Sequence, residues 1–305
     1  MMEMVLKPLF LYLSKNKLLT RCAKRWGLKM GAKQVVAGVT IDEAIETVRE
    51  LNRKGLVATI DHLGEFVSTR KEAIQSASHC MNTLEAIALS KVTSNLSLKL
   101  TQLGLDVDQE LCYQNMRNIV RKAAELGNFV RIDMEDSSHC QQTLDILSKL
   151  LKEFPKSVGT VIQAYLYRSQ QDITGLKGIN LRLVKGAYRE PPKLALQDKK
   201  LIDENYFSLI KQHLQSGSYT AIASHDHIII EKVKAFCREE RIPTTQFEFQ
   251  MLYGFRKELQ ERIAAEGYTM RVYVPFGTDW YGYFMRRLAE RPQNISFALR
   301  GLFSK

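Results

Sequence analysis

The stretch Gly55-Leu56-Val57-Ala58-Thr59-Ile60-Asp61-His62-Leu63-Gly64-Glu65 decides how the chain is read. It looks like a short apolar strand, Gly55–Ile60, running into an acidic turn. A doubly wound open sheet would place a Gly-rich phosphate turn after its first strand, and Ile60-Asp61-His62-Leu63-Gly64-Glu65 is not G-x-G-x-x-G. Seven similar runs follow: Asn95–Leu100, Phe129–Ile132, Val158–Leu166, Ile179–Lys185, Thr220–Ser224, Thr245–Met251 and Thr269–Pro275. Longer segments with helical spacing lie between them, such as Val107–Leu126 and Leu201–Leu214. Eight alternations over about 250 residues predict an α/β fold, a (β/α)8 barrel. Residues 1–50 precede the first strand and are expected to form a helical arm outside the barrel, with the Thr40–Lys54 run among its helices, and residues 51–305 the barrel.

Composition supports a large folded core. Of the 305 residues 45% are apolar and 25% charged, which excludes wholesale disorder. No run of about 18 apolar residues offers a spanning helix. Lys plus Arg number 44 against 33 Asp plus Glu, a net charge of +11. Residues 1–38 hold Lys7, Lys15, Lys17, Arg21, Lys24, Arg25, Lys29 and Lys33 against Glu3 alone, so most of the excess sits there. The near-balance of the rest argues against a nucleic-acid partner.

In the N-terminal segment those cations interleave with Met4, Val5, Leu6, Leu9, Phe10, Leu11, Tyr12, Leu13, Leu18, Leu19 and Trp26. That mixture suits peripheral contact with an anionic lipid surface, and equally an arm packed on the barrel. Val5–Leu13 is broken by Lys7 and Pro8 and lacks a small-residue cleavage site, unlike a secretory signal. A mitochondrial presequence stays open. The five scattered cysteines form no C-x-x-C pair and no zinc spacing, so buried free thiols in a reducing cytoplasm and no metal are expected.

In such a barrel the active site forms at the C-terminal ends of the strands. Here those ends are polar: Asp61 and Glu65, then Lys99, then Asp133, Met134 and Glu135, then Gln163. Arg182 and Lys185 follow, then Ser224 and His225, Glu248 and Gln250, and Tyr273. Lys99 in Leu98-Lys99-Leu100 faces away from both leucines, so it must find a carboxylate or a ligand. Arg182 in Leu181-Arg182-Leu183 poses the same problem, and Asp133 is a natural ion-pair partner. Pairing accounts for two or three of these charges, not for the whole ring.

At Leu181-Arg182-Leu183-Val184-Lys185-Gly186-Ala187-Tyr188 the chain resembles the proline dehydrogenase family, flavoenzymes with a distorted (β/α)8 barrel. Phe247-Glu248-Phe249-Gln250-Met251-Leu252-Tyr253-Gly254 agrees. So does Arg271-Val272-Tyr273-Val274-Pro275-Phe276-Gly277 with Arg286-Arg287-Leu288-Ala289-Glu290. The resemblance runs from about residue 55 to residue 291 and implies the monofunctional bacterial type. It implies FAD as cofactor, bound by Met134, Gln163, Arg182, Val184, Lys185, Gly186, Ala187, Ser224 and His225, with Arg182 beside the flavin N5. It implies L-proline as substrate, its carboxylate held by Arg286 and Arg287, its ring covered by Tyr273, with Asp133 and Lys99 beside it. Glu65 matches an acid that pairs with the first of the two arginines. The implied reaction yields 1-pyrroline-5-carboxylate, the first step of proline breakdown to glutamate, and passes electrons to a quinone-type acceptor.

These residue types suit that chemistry. Guanidinium groups grip a carboxylate with planar paired donors. A cation near the flavin stabilises charge gained on reduction. Asp133 is read as orienting the substrate amine rather than as its base. A flavin-free lyase using Lys99 or Lys185 as a Schiff-base nucleophile is the alternative. His62, His79, His139, His213 and His227 are read as packing or surface residues.

Overall fold

A computed structural model describes residues 32–64 and 67–290. Its strands are β1 (Val57–His62), β2 (Ser94–Lys99), β3 (Val130–Asp133), β4 (Val158–Gln163), β5 (Leu181–Val184), β6 (Thr220–Ala223), β7 (Phe247–Leu252) and β8 (Met270–Phe276). They form a closed parallel barrel in sequence order, with β8 returning to β1 through pairs such as Thr59 with Tyr273. The expected barrel is therefore present.

The helices are α1 (Ile41–Arg53), α2 (Arg70–Ser90), α3 (Gln109–Glu125), α4 (Cys140–Glu153), α5 (Ser169–Gly175), α6 (Lys199–Gln215), α7 (His227–Glu239), α8 (Lys257–Ala265) and α9 (Trp280–Glu290). Their starts follow capping chemistry. Thr40 and Thr69 close capping boxes with Glu43 and Glu72, while Asp108, Asp198 and Asp226 accept from the first-turn amides of α3, α6 and α7.

Alternation sends Ala58, Ile60, Leu96, Leu98, Val130, Ile132, Leu181, Leu183, Phe247, Phe249, Val272 and Val274 outward, where they pack in the layer beneath the helices. Helix α1 packs on β1, β8 and α2, and Lys54 at its end bonds Glu261 of α8 at 2.8 Å. It thus fills the ring position that the helix after β8 would ordinarily take. The expected boundary at residue 50 falls inside this helix, whose Ala44, Ile45 and Val48 join the barrel core. Helix α9 instead joins a separate cluster, in which Trp280 and Tyr283 meet Leu63 just past β1 and Ala32, Val35 and Val36. That displacement is the distortion of the barrel.

Several strand ends differ from expectation. The first strand starts at Val57 because Gly55, at φ +74°, belongs to the turn that closes α1, its amide bonding Asn52 O at 3.0 Å. The fourth stops at Gln163, since the chain turns there and Leu166 bridges Ala195 of the β5–α6 loop. A 3-10 turn over Thr244–Gln246 delays the seventh to Phe247. The basic segment at residues 1–31 lies outside the described residues. Cys80, Cys112, Cys140 and Cys237 are free and buried. No helix among the described residues is long and apolar enough to cross a membrane.

Candidate active site

The residues that alternate with the outward leucines and valines fill the lumen, and they are ionic. In the deeper layer Glu248, buried, accepts from Arg271 Nε at 2.8 Å, Gln250 Nε2 at 2.5 Å and the Tyr219 hydroxyl at 2.9 Å. Arg131 lies beside them, donating to Thr160 O at 2.9 Å and Asn180 O at 2.6 Å. Gly159 makes the space for it: a Cβ there would sit 2.9 Å from Arg131 Nη1 and 2.1 Å from Asn180 O. Burial, with the charges of Arg182 and Arg271, pushes the Arg131 guanidinium down to about 9, still cationic at neutral pH.

Nearer the C-terminal mouth, Asp133 and Arg182 form an ion pair at 2.6 Å, with side chains only 13% and 6% exposed. Arg182 Nε donates to Gln250 Oε1 at 2.6 Å. Ser97 Oγ donates to Asp133 Oδ1 at 2.7 Å. The Tyr273 hydroxyl stands 2.7 Å from Asp61 Oδ2 and 2.8 Å from Asp133 Oδ2, joining the two carboxylates. Burial and those two acids push the phenol well above its usual range, so it keeps its proton. The Arg182 guanidinium lies over the Tyr273 ring, 5.4 Å from its centre. Lys99 reaches Asp61 Oδ2 at 3.5 Å.

Four expected site residues, Lys99, Asp133, Arg182 and Tyr273, therefore share one network. The expected closeness of Lys99 to Asp133 holds along the backbone, where they are register partners, but the ammonium pairs with Asp61. Asp133 is already held by Arg182, Ser97 and Tyr273. Asp61, a polar strand end to which the family resemblance gives no role, joins the network too, as alternation from Thr59 would place it.

The other expected residues surround this network. Gln163 Nε2 donates to the Glu135 carbonyl at 2.8 Å, tying β4 to the β3–α4 loop that carries the buried Met134. Glu135 accepts from the Thr101 amide and hydroxyl at 3.1 and 2.6 Å; burial nonetheless raises its carboxyl above the ordinary value. Val184 packs against the apolar cluster that contains Met134 and Tyr165. Gly186, at φ +116°, lies so close to Tyr165 that a Cβ would sit 2.2 Å from its ring. Ala187 follows it in the same loop.

Lys185 lies 2.5 Å from Asp203 and 3.3 Å from Asp226. Burial raises the Asp226 carboxyl, but hydrogen bonds from Lys185 and the α7 amides outweigh it and leave the carboxyl below its usual value. Ser224 Oγ accepts from the Asp226 amide at 3.1 Å, and His225 Nε2 accepts from the Leu252 amide at 3.1 Å. Arg286 and Arg287 lie on α9, which the Trp280–Leu63 cluster holds beside the end of β1; the Arg287 guanidinium covers the Tyr283 ring at 5.2 Å. Glu65 falls outside the described residues.

The arrangement is a set of buried, mutually paired charges. Among the described residues no group of three His, Cys, Asp or Glu is placed to hold a metal. Arg182 Nη2 is buried and, among the described residues, has no hydrogen-bond partner. A buried donor of that kind calls for an acceptor, and a flavin edge supplies one. At Gly186 the Tyr165 ring already fills the face a Cβ would take, so the fit of the residues present to FAD rests on that buried donor. A Schiff-base nucleophile needs a free nitrogen lone pair. Both candidate lysines are instead ion-pair donors to carboxylates, which disfavours the lyase alternative.

Known proteins resemble this chain along almost its whole length. The sequence model of the proline dehydrogenase family matches residues 44–300. Proline dehydrogenase 1 of Bacillus subtilis subsp. natto is 52% identical over 303 residues, covering 99% of this chain and 100% of its own. The proline dehydrogenase of Deinococcus radiodurans is 43% identical over 92% of this chain and 91% of its own. Among solved structures, proline utilization A of Bdellovibrio bacteriovorus inactivated by N-propargylglycine superposes with a TM-score of 0.81 at 30% identity. That match covers 90% of this chain, which spans 34% of the larger protein. A closed barrel with an ionic lumen, matched along almost its whole length, places the chain in the proline dehydrogenase family.

Proposed function

We propose that the protein oxidises L-proline to 1-pyrroline-5-carboxylate with FAD and delivers the electrons to a quinone-type acceptor. The observation that carries this reading is Arg182, buried between Asp133 and Gln250 with Nη2 left over. Bound FAD supplies the two-electron acceptor that no side chain can replace. It would be held by Met134, Gln163, Val184, Lys185, Gly186, Ala187, Ser224 and His225, with Arg182 compensating the charge gained on reduction.

Arg286 and Arg287 clamp the proline carboxylate, and Glu65 pairs with Arg286. Tyr273 walls the ring, while Asp133 and Lys99 orient the amine. With the ring nitrogen as the neutral amine, the carbon beside it would give its hydride to the flavin and the nitrogen its proton to water, leaving a cyclic imine. The ionic lumen fixes the donors before substrate arrives, so little reorganisation accompanies the transfer. We place the protein in the cytoplasm, with the basic N-terminal segment as its peripheral contact with the inner face of the membrane.

The test is direct. Purified protein should be yellow, and anaerobic proline should bleach its flavin absorption. A colourless protein that gains no flavin on incubation with FAD would sink the reading. The lyase alternative requires a borohydride-trappable adduct on Lys99 or Lys185 without flavin.

A further inference from the structure

Gln250 is buried in the lumen, and its two amide ends face different charges: Nε2 donates to Glu248 Oε1 at 2.5 Å, and Oε1 accepts from Arg182 Nε at 2.6 Å. Only one orientation satisfies both neighbours, because an ionised carboxylate cannot donate and a guanidinium cannot accept. Glu248 in turn is fixed by Arg271 and Tyr219, and those bonds outweigh the cost of burial to keep its carboxyl below the usual value. The amide is therefore locked from below, and its oxygen meets Arg182 as a neutral acceptor.

Neutrality matters. Asp133 is the one carboxylate that hydrogen-bonds Arg182 among the described residues, and it also accepts from Ser97 and stands against the Tyr273 hydroxyl. A carboxylate at position 250 would add a second anion to the same guanidinium. Gln250 aims the guanidinium without cancelling its charge, and leaves Nη2 to the ligand.

We propose that Gln250, oriented by Glu248, is a positioning residue that sets the reduction equilibrium of the flavin through Arg182. This rests on the flavin–proline reading above. It assigns no contact between Gln250 and substrate or cofactor.

The experiment is a reductive titration of the bound flavin in wild type, Gln250→Met, Arg182→Met and the double variant. Gln250→Met is neutral and close in shape, so it exerts no direct charge effect. In the presence of Arg182 it should shift the equilibrium toward the oxidised form about tenfold, roughly 30 mV for a two-electron couple. Combined with Arg182→Met it should add nothing further. An unchanged equilibrium in Gln250→Met, or an equal shift with and without Arg182, overturns the proposal.

Should Gln250→Met fail to fold, the neutral Gln250→Leu takes its place in the same titration, with and without Arg182. It should shift the equilibrium in the same direction only while Arg182 is present; no shift, or a shift of the same size without Arg182, is disproof. A wild-type protein that takes no electrons from proline marks failure of the flavin reading instead, so the two failures are distinguishable.

Discussion

Arg182→Met and Asp133→Ala, made singly and together, test whether the pair at the barrel mouth acts as one unit. Breaking a buried ion pair from one side costs about 3–5 kcal/mol, because the remaining charge stays buried. Arg182→Met belongs at the lower end: the Asp133 carboxylate still accepts from Ser97 and stands beside the Tyr273 hydroxyl. Asp133→Ala belongs at the upper end, since the Arg182 guanidinium, 6% exposed, then keeps, among the described residues, only the neutral Gln250 oxygen as a hydrogen-bond partner. The double variant removes both charges and strands neither. Its cost should fall short of the sum of the single costs by about 2 kcal/mol or more. Against a whole-domain stability of about 5–15 kcal/mol, each of these effects is large enough to read. Urea unfolding followed by circular dichroism gives the values, with flavin occupancy held equal because bound ligand adds its own stability. A double variant costing the full sum within about 0.5 kcal/mol would show that the two side chains do not act as a pair, and the lumen network would need redrawing.

Arg287→Met should raise the Michaelis constant for proline about thirtyfold, the effect of losing roughly 2 kcal/mol of charge-assisted binding, with flavin retained; an unchanged constant removes Arg287 from the site. Tyr273→Ser should weaken proline binding and move the ratio of catalytic efficiencies toward 4-hydroxyproline; a constant ratio leaves Tyr273 as packing alone. His213, 1% exposed, is lowered by burial from 6.5 to about 4, so unfolding takes up a proton at any pH between those values. Its contribution is full above pH 6.5 and is lost as pH falls toward 4, about 2 kcal/mol by pH 5; His213→Gln should flatten that part of the stability profile, and an unaltered profile contradicts it. Removing residues 1–33 should reduce co-sedimentation with anionic vesicles at low salt and leave neutral vesicles unaffected; equal partitioning of both forms assigns the segment to the fold.

What the sequence revealed of the site follows a physical divide. Lys99 and Arg182 stood out because a charge flanked by leucines in a strand must face somewhere, and two-residue alternation says where. Arg131 and Arg271 carry the same signal in Val130-Arg131-Ile132 and Met270-Arg271-Val272, yet their significance lies in meeting around Glu248. Alternation assigns a side chain to the lumen but not to a depth within it, and depth is fixed by register across a closed barrel. Partner choice is non-local in the same way. Lys99 neighbours Asp133 of β3 in register, but its ammonium turns to Asp61 of β1, the adjacent strand on the other side, while Asp133 is held by Arg182. The place of α1 was also hidden. Its amphipathic face and capping box are local features, whereas the vacancy it fills exists only because α9 packs against Leu63.

The lumen bears on function through its charge balance. Asp61, Asp133 and Glu248 face Lys99, Arg131, Arg182 and Arg271, three carboxylates against four cations, in a space that most barrels fill with branched apolar side chains. Apolar filling of equal volume would cost no desolvation and is often the more stable solution. An ionic lumen is thus a poor choice for stability alone. It suits a reaction that leaves negative charge at the barrel mouth, because dipoles and cations already fixed in place need no rearrangement when that charge appears. The deep layer is linked to the mouth by a chain of hydrogen bonds: Arg271 and Tyr219 hold Glu248, Glu248 orients Gln250, and Gln250 holds Arg182. Substitutions deep in the lumen should therefore alter the redox equilibrium at the mouth as well as the stability of the barrel, and a lumen variant that changed stability alone would mark its residue as scaffold.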